Sequence, residues 1–166
     1  PERRELAVTG MLRSAAMAGN DEEVILAATA VLTDAKVAPE LENEARYYRA
    51  LSLVKVNQMA HAVADWQSLA QDTRNAYGAE AKYQLAQYLF DTGKTAEAEK
   101  EVLNYLEVST PHTYWLARSF VLLSDIYAKL DRKLEARQYL LSLKQNYQAD
   151  DDIAGMIESR LEKLNE

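Results

Sequence analysis

The chain contains no cysteine, only three prolines and five glycines, and no apolar run long enough to cross a membrane. The lack of cysteine excludes disulfides and thiol chemistry, and it leaves the compartment open. A membrane-spanning helix needs about 18–20 consecutive apolar residues, so we expect no span in this segment. Because helix breakers are few while Ala, Leu, Glu and Lys are common, the composition favours an almost entirely helical chain.

The sequence also lacks a concentrated stripe of basic residues. Its 26 acidic residues outnumber the 19 basic ones, and the formal net charge is −7. A nucleic-acid-binding surface needs clustered positive charge to displace counterions from the phosphates. We therefore expect no nucleic-acid partner.

Motifs for catalysis and cofactor binding are missing as well. The five glycines are scattered and form no GxGxxG, GxSxG or P-loop pattern. The only histidines, His61 and His112, lie more than one repeat apart, and we expect both to be exposed at helix starts rather than metal ligands. The acidic run 150–152 lacks the Gly and the distal Glu of a calcium loop, and a following helix dipole explains it. The sequence therefore predicts no enzyme, no cofactor and no metal site.

A repeated spacing is the main positive signal. In three copies a small residue is followed twelve positions later by alanine, a weaker copy has the same spacing, and the register advances by 38, 36 and 38 residues. The pairs are Leu12/Val24 (the weakest copy), Ala50/Ala62, Ala86/Ala98 and Ser124/Ala136. Periods of this length predict a stacked array of helical hairpins, in which each unit buries its apolar face against its neighbours.

Turn residues fall in the same register as the paired positions. Gly93 is suited to the left-handed position that ends a helix, and Gly19, Asn57 and Asp131 occupy the equivalent place in the other copies. The predicted helices lie near 2–18, 21–34, 39–55, 59–71, 75–91, 95–108, 111–129, 133–147 and 151–164.

Helix starts are predicted from capping residues. Pro39 and Pro111 are each expected at the first position of a helix, where a missing N–H costs little. Thr95 and Thr110 are expected as N-caps. The acidic run 150–152 precedes the last helix, where negative charge favours the helix dipole.

These repeats resemble the tetratricopeptide repeat, a helix–turn–helix unit with small residues where its two helices touch. The third and fourth copies carry the resemblance most clearly. They read Leu85-Ala86-x-x-Leu89…Ala98…Val102…Tyr105 and Leu123-Ser124-x-x-Tyr127…Ala136…Leu140…Leu143. The period of 36–38 residues resembles a subfamily of bacterial envelope proteins associated with Tol-Pal and outer-membrane assembly.

The resemblance implies an all-α, right-handed superhelical array of about four repeats with a C-terminal capping helix. We expect one domain, 1–166, with repeats near 2–36, 39–73, 75–109 and 111–148 and the capping helix at 151–164. Because the chain begins with Pro1 rather than Met, we expect it to be part of a longer protein. The envelope subfamily implies a periplasmic or cell-envelope location, with the cytoplasm as the alternative.

In this family the first helix of each repeat lines a concave groove that binds a peptide or a protein. The resemblance therefore implies a non-catalytic interaction scaffold. The candidate partner-binding residues at groove positions are Arg13, Tyr47, Tyr83, Gln87, Phe90, Arg118 and Asp125. Aromatic residues and Arg are frequent anchors of recognition. Two alternatives stay open: the tyrosines only pack between helices, or the chain is a structural solenoid segment that self-associates into a homo-oligomer or packs within a longer chain.

Overall fold

The computed structural model describes residues 2–34 and 36–166, and within them it contains nine α-helices and no strand. The helices are α1 (Glu2–Ala18), α2 (Asp21–Leu32), α3 (Pro39–Lys55), α4 (Met59–Leu69), α5 (Ala76–Asp91), α6 (Thr95–Glu107), α7 (Thr113–Lys129), α8 (Lys133–Asn146) and α9 (Ile153–Leu164). The predicted all-α class is confirmed.

Pro1, at the predicted domain start, and Ala35, within the predicted repeat 2–36, lie outside the described residues. In the part of the chain that the structure describes, no helix combines the length and apolar composition needed to cross a membrane.

Four turns share one backbone conformation, in the predicted register. Each contains one residue with a positive φ: 70° at Gly19, 62° at Asn57, 83° at Gly93 and 59° at Asp131. In each turn the next residue donates its backbone N–H to the carbonyl five residues earlier, as Lys94 does to Leu89 at 2.8 Å. This bond satisfies a carbonyl that the end of the helix leaves unpaired. The predicted left-handed position at Gly93 is confirmed, and the other three predicted turns adopt the same conformation, two of them with Asn or Asp in place of Gly.

Two predicted caps were wrong. Thr95 is the first residue of α6 rather than its N-cap, because Lys94 closes the preceding turn and takes the cap position. Helix α7 begins at Thr113 rather than at Pro111, and His112 is its N-cap. The hydroxyl of Thr110 instead donates to the carbonyl of Thr73 at 2.7 Å and accepts from the backbone N–H of His112 at 3.1 Å. Pro39 does start α3, as predicted.

The paired repeat positions are buried in every copy. Their side chains are at most 2 % exposed: Leu12, Val24, Ala50, Ala62, Ala86, Ala98, Ser124 and Ala136. Small side chains at a crossing let two helix backbones approach closely, so larger residues beside them can fill the space around the contact. The sequence pattern therefore identified positions that are buried in every hairpin.

The chain divides into two compact units, Pro1–Asp72 and Thr73–Glu166, called unit 1 and unit 2 below. In unit 1, helices α1 to α4 pack in chain order, around a core that includes Leu12, Ala28 and Val31. In unit 2, α5 contacts α7 and α7 contacts α9, while α6 packs on α5 and α7, and α8 packs on α7 and α9. Helices α5, α7 and α9 therefore form one layer of unit 2, and α6 and α8 form the other.

Candidate functional site

The layer of α5, α7 and α9 brings together most of the predicted partner-binding residues. Tyr83 lies on α5 and is only 5 % exposed. Its hydroxyl accepts a hydrogen bond from Nη2 of Arg118 on α7 at 2.8 Å and donates to Oε1 of Gln87 at 3.0 Å. Nε2 of Gln87 in turn donates to Oδ1 of Asp91 at 2.8 Å. Three residues from three successive turns of α5 are thus connected to one guanidinium on α7.

Arg118 is the centre of this network. Its Nη1 donates to the hydroxyl of Tyr114 at 3.1 Å, and that hydroxyl donates to both carboxylate oxygens of Asp152 at 2.9 and 3.1 Å. The guanidinium carbon lies 4.8 Å from the ring centre of Tyr83, and 5.9 Å from those of Tyr114 and Trp115. A cation in this position is attracted to the negative faces of the rings. We call Tyr83, Gln87, Tyr114, Trp115 and Arg118 the arginine–aromatic cluster.

Burial and hydrogen bonding set the protonation of the cluster. Burial raises the pKa of Tyr83, and the neighbouring Arg118 opposes this without reversing it. Burial disfavours the charge on Arg118, but its hydrogen bonds to Tyr114 and Tyr83 help to leave the pKa of Arg118 above its usual value. The cluster therefore holds the charged guanidinium of Arg118 beside the neutral phenol of Tyr83 at neutral pH.

Asp125 and Phe90 lie on the same layer but in other contacts. Both oxygens of Asp125 accept from Arg160 on α9, at 3.0 Å from Nε and 3.2 Å from Nη2. The half-buried ring of Phe90 has Nζ of Lys129 at 5.9 Å from its centre. Asp125 is therefore already paired, whereas Phe90 offers part of an apolar ring to solvent.

Arg13 and Tyr47 belong to unit 1. Arg13 on α1 forms a bidentate ion pair with Glu44 on α3, with distances of 2.8 Å from Nε and 2.9 Å from Nη2. The rings of Tyr47 and Tyr48 meet edge to face, with centres 5.5 Å apart. A single binding surface that includes these residues together with those of unit 2 stays a prediction.

Sequence reasoning missed three members or neighbours of the cluster. Tyr114 and Trp115 precede Arg118 by one helical turn, so the i, i+4 rule placed Tyr114 within reach of Arg118. The rings of Tyr83 and Trp115 have their centres 5.5 Å apart, a contact that depends on how α5 and α7 pack. Asp152 was assigned only to the dipole of α9; in the structure it is Asp151 whose Oδ1 accepts from the first N–H of that helix, at 2.9 Å.

The chemistry that this layer offers is binding by stacking, hydrogen bonds and charge. His112 is outside the cluster, with Nε2 at 3.0 Å from the carbonyl oxygen of Arg74, and His61 is exposed on α4. Among residues 2–34 and 36–166, no three His, Asp or Glu side chains are grouped as metal ligands.

Comparisons of the chain with protein-family models, with curated proteins and with solved structures find no match.

Proposed function

We propose that the chain is a non-catalytic interaction scaffold of the tetratricopeptide type that binds a peptide or protein segment on its helix-A surface. In unit 2 this surface is the layer of α5, α7 and α9. The proposal includes the right-handed superhelical stacking of the repeats and a cell-envelope location, both implied by the resemblance. The observation that carries it is the arginine–aromatic cluster.

Arg118 has hydrogen-bonding capacity to spare for a ligand. A guanidinium has five N–H donors, and the two bonds of Arg118 to tyrosine hydroxyls use two of them. The partners in these two bonds are tyrosine hydroxyls rather than carboxylates, so these bonds do not neutralise the positive charge of Arg118. A backbone carbonyl or a carboxylate of a bound segment can accept the remaining donors.

The cluster is also held in place before a ligand arrives. Two hydrogen bonds and three aromatic rings restrict the Arg118 side chain, which would otherwise lose rotamer freedom on binding. Arg and large aromatic residues dominate the energetics of many interfaces. Phe90, on the same layer and half-buried, adds an apolar contact for the ligand.

Selection from a random peptide display library, followed by affinity measurement on purified variants, tests the proposal. We expect Arg118→Gln and Phe90→Ala each to weaken the selected peptides at least about tenfold, or about 1.4 kcal/mol. Arg137→Gln is the matched control, because Arg137 on α8 is also half-buried and hydrogen-bonded, to Asn165 at 2.8 Å. Circular dichroism must show equal helicity for all variants.

Two outcomes would contradict the proposal: selection of no peptide, or peptides that bind the Arg118→Gln and Phe90→Ala variants as tightly as the original chain. Tyr83→Ala is a poor probe here, because removing a buried ring disturbs the packing of α5 on α7 whether or not a ligand binds.

A further inference from the structure

The outer face of α1 and α2 carries an apolar groove that no other helix of unit 1 lines. The groove has a volume of about 870 Å³. Its lining includes Ala7, Met11, Ser14 and Ala18 of α1 and Leu26 and Ala30 of α2. Met11 is 65 % exposed and Leu26 is 71 % exposed. Two large apolar side chains beside a row of small ones form a surface that another helix pair can approach closely.

The two ends of this face carry opposite charges. Arg3 lies at the start of α1, on the helical stripe that continues through Ala7 and Met11. Glu23 lines the groove at the start of α2, directly after the tight turn that ends α1. At a rise of about 1.5 Å per residue, the fifteen residues from Arg3 to Ala18 span about 22 Å. The basic and acidic ends are therefore separated by most of the length of the groove.

This arrangement is complementary to itself. A two-fold axis that lies in the plane of the contact, at right angles to α1 and α2, places the Arg3 end of one copy over the Glu23 end of the other, at both ends of the contact. The same axis brings Met11 and Leu26, near the middle of their helices, against the apolar groove of the second copy. Opposite charges at the rim and apolar contacts at the centre are typical of a symmetric interface.

We propose that two copies of this chain associate through the outer faces of α1 and α2, related by this two-fold axis. The face is two helices wide, about 20 Å, and its shorter helix is about 18 Å long. The face is thus smaller than the roughly 800 Å² per partner of a standard interface, so we expect a weak dimer in reversible equilibrium with the monomer. The proposal does not depend on the function of the cluster in unit 2.

Sedimentation equilibrium of the full chain, from low micromolar to near-millimolar concentration, tests the association. The expected result is a concentration-dependent shift from monomer to dimer. Leu26→Glu and Met11→Glu place like charges near the axis and should weaken the dimer at least about tenfold. Leu134→Glu is the matched control, because Leu134 on α8 is 70 % exposed and lies outside the face; it should leave the dimer unchanged.

A charge exchange tests the two-fold arrangement itself. Arg3→Glu alone and Glu23→Lys alone should each weaken the dimer, since each creates like-charge contacts at both ends. An equimolar mixture of the two variants should form heterodimers, because every end then meets an opposite charge. A chain that stays monomeric throughout, a dimer unaffected by Leu26→Glu, equal loss in Leu134→Glu, or a mixture that fails to associate would each overturn the proposal.

Discussion

Units 1 and 2 build helical hairpins with the same turns and crossings but hold them together with different side chains. Unit 1 buries Trp66 on α4, but its core cluster of α1 to α3 is built from Leu, Val and Ala, with Tyr48 packed against it. That of unit 2 contains Tyr83 and Tyr127, with Trp115 and Tyr139 packed against it. The common backbone therefore depends on buried residues at the paired repeat positions and on the left-handed turns, while the side chains packed around them can differ.

The polar contacts of the two units differ in the same way. Unit 1 contains the Arg49–Asp65 ion pair between α3 and α4, with Nη2 at 2.6 Å from Oδ1 and the Asp65 side chain only 3 % exposed. In unit 2 the half-buried Arg118 is held by tyrosine hydroxyls instead. A charge paired with a buried carboxylate serves the packing of helices, whereas one bound to neutral hydroxyls keeps its charge available.

The core difference predicts the largest effect. Ile126→Ala removes a fully buried side chain from the aromatic core of unit 2 and should cost about 3–4 kcal/mol of unfolding free energy. Val24→Ala in unit 1 removes a smaller buried side chain and should cost about 2 kcal/mol. Urea unfolding followed by tryptophan fluorescence can report on each unit, since unit 1 contains only Trp66 and unit 2 only Trp115. Equal losses would remove the distinction between the two cores.

The second-largest loss of stability is expected when the buried Arg49–Asp65 ion pair of unit 1 is broken. Arg49→Met leaves the buried Asp65 carboxylate without its cation and should cost about 3 kcal/mol, at the lower end for a buried pair because the Arg49 side chain is 23 % exposed. Arg49→Met combined with Asp65→Leu should recover most of that loss. In unit 2, Arg160→Met breaks the more exposed pair with Asp125 and should cost at most about 1 kcal/mol. Urea unfolding measures all three, and a double variant as unstable as Arg49→Met would contradict the reasoning.

The hydroxyl network predicts a smaller effect. Tyr83→Phe removes the hydrogen bonds to Arg118 and Gln87 but keeps the ring, so it should cost about 1 kcal/mol. Tyr48→Phe in unit 1 is the matched control and should stay within a few tenths of a kcal/mol. If both variants are neutral in urea unfolding, the network does not contribute to the stability of unit 2.

The smallest effect is expected at high pH and concerns Tyr147 of unit 2, a phenol that is only half-buried and therefore partly screened by solvent. Burial and a hydrogen bond to Asp151 raise the pKa of Tyr147 from 10 to about 12. The unfolded chain loses this proton first as pH rises, so the stabilisation is complete below pH 10 and is lost between about pH 10 and 12. Tyr147→Phe should make the free energy of unfolding fall less steeply over this pH range. It should also remove from the ultraviolet titration one tyrosine that ionises at about pH 12. Identical curves for the two proteins would contradict the shift.

Helix positions, turns and crossings could be predicted from the sequence because each depends on neighbours close in the chain. Asn57 and Asp131 adopt the left-handed conformation in the same register as Gly19 and Gly93, as the spacing indicated. The caps at Thr95 and Thr110 could not be predicted, because the left-handed turn assigned the cap position to Lys94 and a contact with Thr73 engaged the Thr110 hydroxyl.

The repeat period and the small residues within it thus determined by themselves that this chain folds into successive helical hairpins, since local hydrogen bonding and close helix contact need only nearby residues. Which of the predicted partner-binding residues are buried or paired was decided only by the tertiary structure. Tyr83 is buried because α7 stacks Trp115 against it, and Asp125 is paired because α9 brings Arg160 to it. Those contacts join residues 32 and 35 positions apart in the sequence, and they exist only once the helices have packed.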